Sequence, residues 1–266
     1  MKTTSTTFDN SMPQWIKEQN QPWGRLKYKM AQANLAKHLS EGPLQILDAG
    51  GGNGYDSIPM ALQGHHVDIV DYSTEMLALA RAQAAETNTT ERIATHQAEL
   101  GDIRSLFEAG RFDLVMCHNV VSYVDDVPAL FRDLTALLKA GGLVSIIGLN
   151  RYSIPYHAAF LKGDLEDARA RIDAREFRAN IFDATVTCYS ADEISALLRD
   201  AGCRIEHDYG IRCICDYWGD NERKADPQVF AQIEALEFAL ADKHPYKLLA
   251  RFFHIIARKT DILRNT

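Results

Sequence analysis

Residues 44–73 read LQILDAGGGNGYDSIPMALQGHHVDIVDYS, with glycines at 50, 51, 52 and 54, an acid just before them at Asp48, and another, Asp71, closing the next apolar run. Glycines between a strand pattern and a helix pattern leave backbone N–H groups open to a ligand and let it come close. A carboxylate at the end of the following strand has two acceptor oxygens, enough for both hydroxyls of a ribose. The spacing is G-x-G-x-G and not the G-x-G-x-x-G of a dinucleotide site, and Asp56 at the helix start opposes a pyrophosphate. NAD is therefore disfavoured, and a ligand with a ribose, no phosphate and a cationic end fits better. Gly51 alone reads equally as a turn and Asp71 alone as a solvated strand end; the two together, in this order, carry the expectation of a site.

The elements that must hold these residues follow from periodicity. An amphipathic segment from Trp23 to Leu39 precedes the strand LQILDA, and YDSIPMALQG is a helix ended by Gly64. HVDIVDYS is a second strand, followed by the helix TEMLALARAQAAE with Ser73 or Thr74 as N-cap. RIATHQAEL and FDLVMCHNVV read as the third and fourth strands, VPALFRDLTALLKAGG as a helix with a glycine stop, and LVSIIGLN as the fifth strand. This alternation predicts an α/β fold with a doubly wound, mostly parallel sheet. Residues 151–188 are polar and interrupted and read as a small cap insertion. SADEISALLRDAGC is a helix with Ser190 and Glu193 at capping-box spacing. RIEHDYGIRCICDYW is a strand kinked at Gly210, PQVFAQIEALEFALADK a helix and RFFHIIARK a last strand, with an antiparallel edge possible. The expected organisation is a helical lead-in (1–42), the ligand-binding core (43–150), the cap (151–188) and a segment completing the sheet (189–266).

The chain has 266 residues, 46% of them apolar, and a net charge of -7, so it has a sizeable core but no overall polyanion-binding surface. Five cysteines without paired zinc spacing and an N-terminus without an apolar signal core lead us to expect a reduced, cytoplasmic setting. No apolar run approaches the roughly 20 residues of a membrane span, so no membrane is an expected partner, and the net charge of -7 makes DNA an unexpected one too. Cys213 and Cys215 read as core residues, and no metal site is expected.

The stretches ILDAGGGNG, DYSTEMLALARAQA, FDLVMCHNVVSYV and LLKAGGLVSI resemble the successive motifs of class I S-adenosylmethionine-dependent methyltransferases, whose fold is Rossmann-like. From about residue 24 to 259, through HNVVSYVDDVPALF, GLN, GIRCICDYW and HPYKLLARFFHIIARK, the chain resembles the tRNA 5-carboxymethoxyuridine carboxyl methyltransferase family. The resemblance implies S-adenosylmethionine as cofactor. It places the glycines Gly50, Gly51 and Gly52 at the methionine moiety, Asp71 on the ribose and Tyr72 beside the adenine, with Asp48 counted among the cofactor-binding residues. Glu99 and Leu100, or Asp102 in another register, would meet the adenine edge, and His118 would lie on the cofactor side. Lys27 stands where the family has an arginine for the cofactor carboxylate, which keeps the charge and loses the fork.

On the acceptor side the resemblance implies that Arg212 holds a carboxylate through a charge-assisted pair. As a strand, GIRCICDYW would put Arg212, Ile214 and Asp216 on one face; the bland alternative is a surface arginine pairing with Asp216. Tyr152, Tyr156 and His157 open the cap and either line an acceptor pocket or simply pack it. Where the family carries a run of lysines, this chain interleaves Arg169, Arg171, Arg175 and Arg178 with acids, a near-balanced charge that argues for a small acceptor over RNA. Three readings stay open: an RNA carboxyl methyltransferase, a methyltransferase acting on a small carboxylate-bearing metabolite, and a non-catalytic S-adenosylmethionine-binding protein.

Overall fold

The computed structural model describes residues 13–179 and 184–260. The first twelve residues, 180–183 inside the cap and the last six lie outside the described residues, as do the parts of the lead-in, cap and closing segment expected there. The apolar runs become strands buried nearly end to end: β1 (Gln45–Ala49), β2 (His66–Asp71) and β4 (Phe112–His118). Continuous burial is what a parallel strand covered by helices on both faces requires. β3 (Ile93–Gln97) is only half buried and lies at the sheet edge. β1 pairs in parallel with β2 on one side and β4 on the other, with Ile46 opposite Val67 and Leu114. The chain thus reverses direction of winding beside β1, and ligands of open α/β sheets bind outside the carboxyl ends of the strands at such a point.

The full order is β3-β2-β1-β4-β5-β9-β8, with β5 at Leu138–Leu149, β8 at Cys203–Ile211 and β9 at Phe252–Lys259. Arg251 N–H bonds the Arg212 carbonyl where β8 ends, and Thr260 N–H bonds the Gly202 carbonyl where β8 begins, each at 3.0 Å. β9 therefore runs antiparallel to β8, closing the sheet as the sequence allowed.

The connecting helices are α1 (Pro22–Ala36), α2 (Ser57–Leu62), α3 (Thr74–Glu86), α4 (Val127–Leu137), α5 (Ala191–Asp200) and α6 (Pro227–Leu240). α3 is capped by Ser73, whose hydroxyl accepts the Met76 N–H at 3.2 Å. α4 buries Val127, Leu130, Phe131, Leu134 and Leu137 on one stripe. It does not run to the glycines: β5 begins at Leu138, five residues before the expected Leu143. Gly142 is needed inside that strand, where a Cβ would meet the Asp113 and Lys139 carbonyls at 3.1 Å. The cap is a helical turn (Ser153–Tyr156) widening into a π-turn (His157–Leu161), a short helix (Leu165–Ala170) and a hairpin of β6 (Glu176–Ala179) with β7 (Ala184–Thr187).

β8 is shorter than expected. Gly210 stays in the strand because a Cβ there would strike Ala250 and Lys247, at 2.7 and 2.8 Å. The break comes at Arg212, which is left-handed with φ 61°. Residues 212–216 are therefore a turn, and the predicted sharing of one strand face by Arg212, Ile214 and Asp216 does not hold.

The chain divides into two compact units. One comprises Met1–Lys37, Ile147–Glu193 and Asp208–His254, the other His38–Ile146, Ile194–His207 and Ile255–Thr266, as far as their residues are described. In the first, Leu26, Met30, Ala31, Ile147, Ile211 and Ala241 form a core flanked by Phe230, Phe238 and Phe252. In the second, Ile46, Leu47, Ile69, Leu114, Phe112 and Phe131 are fully buried.

The capping box at the start of α5 forms as the spacing demands: the Ser190 hydroxyl accepts the Glu193 N–H at 3.3 Å, and the Glu193 carboxylate accepts the Ser190 N–H at 2.8 Å. Ser190→Ala is expected to lower stability by about 1 kcal/mol in urea unfolding, the usual worth of such a cap.

Candidate functional site

The glycine loop follows β1. Gly50 and Gly51 N–H groups both reach the Val70 carbonyl, at 2.8 and 3.3 Å, which fastens the loop to the end of β2. A Cβ on Gly50 would lie 2.5 Å from a Val120 methyl, and one on Gly51 would lie 2.5 Å from the Asp48 carboxyl carbon. At these two positions the protein's own interior excludes a side chain.

Asp71 ends β2 with its carboxylate anchored twice, Oδ2 accepting from Gly52 N–H at 3.0 Å and Oδ1 from Ser73 N–H at 2.9 Å. A carboxylate has about four acceptor positions, so this anchoring is compatible with ribose hydroxyls as further donors. Half-buried Tyr72 follows. Gln97 Nε2 donates to its carbonyl at 3.4 Å, and Ala98 N–H bonds the Asp71 carbonyl at 3.1 Å. The loop entering exposed Glu99 and half-buried Leu100 is thereby held beside Asp71 and Tyr72. Leu100–Asp102 is a 3-10 turn opened by Glu99.

Asp48 lies beneath the loop and is buried, with the Ser57 hydroxyl donating to it at 2.5 Å. Burial, with the Asp56 charge beside it, pushes its carboxyl up to about 7. Asp56 in turn faces His118, Oδ2 to Nδ1 at 3.1 Å, while His118 Nε2 meets the Ser145 hydroxyl at 2.8 Å. A carboxylate oxygen only accepts, so Nδ1 carries a proton, and in the neutral tautomer that follows Nε2 accepts from Ser145. His118 is thus oriented from both sides. Three acids, Asp48, Asp56 and Asp71, surround a loop of bare backbone, a setting hostile to phosphate and suited to a ribose-bearing cation.

Lys27 and Arg212 belong to the other unit. The Lys27 ammonium stands over the Tyr28 and Phe252 rings, 4.5 and 5.3 Å from their centres. The Arg212 side chain is largely buried, so it is not the surface arginine of the bland alternative, yet it does pair with Asp216. Nε donates to Asp216 Oδ2 at 2.6 Å and Nη2 to Oδ1, while Nη1 donates to the Trp23 carbonyl at 3.3 Å. Burial opposes both charges, but their mutual attraction outweighs it, raising the Arg212 pKa and lowering that of Asp216.

Two residues of this cluster had gone unread. Glu237 is fully buried on α6, and its carboxylate accepts the N–H groups of Cys213, Ile214 and Cys215 at 2.5, 2.9 and 2.7 Å. That grip curls the chain after Ile211 and ends β8. Its signal was an acid four residues after Ile233, on the buried stripe. Arg251, whose Nη1 donates to the Ser153 hydroxyl at 3.2 Å, is the second guanidinium near Asp216. Its signal was a charge within the apolar entry to β9. Burial and then the Arg251 charge push His157 down to about 4, so its ring is neutral at physiological pH. Cys213 and Cys215 are buried, with thiols pushed up by burial, as core residues should be.

Residues 46–142 match the sequence profile of a family described as "Methyltransferase domain". The chain is an S-adenosylmethionine-dependent methyltransferase. The methyltransferase is similar to the tRNA 5-carboxymethoxyuridine methyltransferase of Escherichia coli, 28% identical over 241 residues covering 89% of each chain. It is also similar to the ubiquinone biosynthesis O-methyltransferase of Colwellia psychrerythraea, 31% identical over 46% of this chain and 48% of that one. Among solved structures it shares its fold with a methyltransferase of Thermotoga maritima described as a possible histamine N-methyltransferase. That likeness has TM-score 0.64 at 15% identity and covers 97% of this chain and 100% of the other. The geranyl diphosphate C-methyltransferase of Streptomyces coelicolor, determined with S-adenosyl-L-homocysteine, gives TM-score 0.57 at 19% identity over 87% and 81% of the two chains.

Because Asp48 holds its proton more tightly folded than unfolded, the folded state loses stability as pH rises from about 4 to about 7. Asp48→Asn cannot ionise and can still accept from Ser57. In urea unfolding at pH 5 and pH 8, wild type should weaken relative to the variant by a few kcal/mol, on the order of one for each pKa unit. An equal difference at the two pH values would contradict the assignment.

Proposed function

We propose that the protein methylates a carboxylate, and that this carboxylate belongs to a modified uridine of tRNA. The observation that carries the reading is Arg212, a buried guanidinium on a turn whose shape is dictated by Glu237. A cation held in place in this way suits the planar, bidentate recognition of a carboxylate. The E. coli relative, alike along nearly the whole chain, supports the tRNA part and with it a cytoplasmic setting. No helix among the described residues is long and apolar enough to cross a membrane.

For the methyl donor we assign Gly50, Gly51, Gly52, Asp71 and Tyr72, with the 99–100 loop at the adenine edge and Asp48 and His118 supporting the loop from behind. When bound, S-adenosylmethionine supplies a methyl group on a positively charged sulfur, which a carboxylate oxygen displaces directly. The acceptor is already ionised at neutral pH, so no general base is needed, and the doubly engaged His118 is a poor candidate for one. The chain's residues therefore align the reactants and exclude water.

A small carboxylate-bearing metabolite is the second reading. The cap arginines favour it: Arg171 pairs with Asp167 and Arg175 with Glu193, so these two cations serve the fold. Binding without methyl transfer is the third reading and would show as donor affinity with no turnover on any fraction.

Asp71→Ala should weaken S-adenosylmethionine binding by about 1.5 to 3 kcal/mol, as for two hydrogen bonds to a charged acceptor, with NAD failing to compete. Calorimetry showing tight NAD binding, or unaltered donor affinity in the variant, would sink the cofactor assignment.

Removing Arg212 alone would leave the buried Asp216 without its bidentate partner, so both go together. Arg212→Leu with Asp216→Leu should keep donor affinity and lose methyl transfer about tenfold or more. Transfer to tRNA should fall steeply with added salt and transfer to a small acceptor only shallowly. Full activity in the double variant would remove the carboxylate role. A flat salt response with labelled methyl found only in metabolites would remove tRNA.

A further inference from the structure

Beside the Arg212 turn, in the same unit, is a cleft of about 260 Å³ lined by Tyr156, Phe160, Ile214, Tyr217, Tyr246 and Leu249 among others. The Tyr156 and Phe160 rings stack, 5.9 Å between centres and 23° from parallel, and Tyr217 tilts against Tyr156 at 6.1 Å. Phe160 is 67% exposed and Tyr246 54%, so both rings leave much of their apolar surface in water. Phe160 is carried by the π-turn His157–Leu161, a widening of the helix that recurs at functional sites. The Tyr217 hydroxyl donates to the Leu249 carbonyl, which fixes its ring before any ligand arrives.

The geometry points to this cleft as a stacking site for one unpaired nucleobase of the RNA acceptor, an inference that rests on the tRNA reading above. Aromatic planes bind unstacked bases of any identity through their faces. The volume suits one flat ring system. A stable contact with a second copy of the chain buries about 1,200 Å² or more, beyond what a cleft of this size offers, and a long aliphatic tail calls for a deeper, aliphatic channel. Lys162, exposed and two residues after Phe160, supplies a cation for a neighbouring phosphate, whereas Lys243, three residues before Tyr246, is exposed but pairs with Asp242 at 3.5 Å. A base seated here would hold the loop of the RNA in register while a neighbouring nucleotide is methylated.

The probe is an anticodon stem-loop RNA with 2-aminopurine at successive loop positions. At one position wild type should quench its fluorescence. Phe160→Ala and Tyr246→Ala, both at exposed positions, should lose the quench and weaken RNA binding about tenfold, with S-adenosylmethionine affinity unchanged by calorimetry. Unaltered quenching and RNA affinity in both variants would overturn the cleft assignment and leave the tRNA reading standing. Absence of any RNA binding by wild type, with methylation of small carboxylates alone, would overturn both. Displacement of the aminopurine base by a long-chain prenol, with the same loss in the variants, would assign the cleft to an aliphatic tail and also overturn the inference.

Discussion

The chain leaving β1 has to pass between two groups that do not yield, the Val120 methyl beyond β4 and the Asp48 carboxyl beneath. Only bare backbone fits at Gly50 and Gly51, and the rest of this unit is arranged around that passage. The loop's N–H groups are taken by the Val70 carbonyl and the Asp71 carboxylate, so β2 must end level with it. Asp48, squeezed under the loop, needs the Ser57 hydroxyl and is moved toward neutrality by burial. The neighbouring Asp56 in turn fixes the proton on His118. One steric constraint thus propagates into the electrostatics of the whole loop.

The parallel half of the fold was legible because its signals are local. Strand runs, the Ser73 cap, the Gly64 stop and the Ser190–Glu193 box each depend on residues a few positions apart. The glycines were also legible, though their reason was only half seen: the sequence suggests room for a ligand, and the structure adds close approach of the protein's own side chains at Gly50 and Gly51. The mistaken boundaries share a cause. Gly142 was read as a helix stop, while it answers to a carbonyl of β4, and β8 was extended through Arg212, while a residue twenty-five positions later ends it. Neither partner is near in sequence, so no periodicity could reveal them.

Glu237 shows why the acceptor side is harder to read than the donor side. A buried carboxylate is costly unless hydrogen bonds offset its lost hydration, and here three consecutive N–H groups offset part of it, burial still raising the Glu237 pKa. The same bonds force Arg212 into a left-handed conformation that a non-glycine residue rarely adopts. Two unfavourable choices, an acid in a core and a side chain at positive φ, become a single stable turn when made together. Propensity treats each as an error.

The Arg212–Asp216 pair has a further consequence for turnover. If Arg212 takes the acceptor's carboxylate, that anion must displace an internal anion of the same kind, so entry is an exchange between equals. Methylation then turns the visitor into an uncharged ester, which no longer competes for the guanidinium. Asp216 can close back on Arg212 and expel it. An internal mimic of the substrate would in this way act as a product-ejecting spring, making the site discriminate between what it has still to modify and what it has already finished.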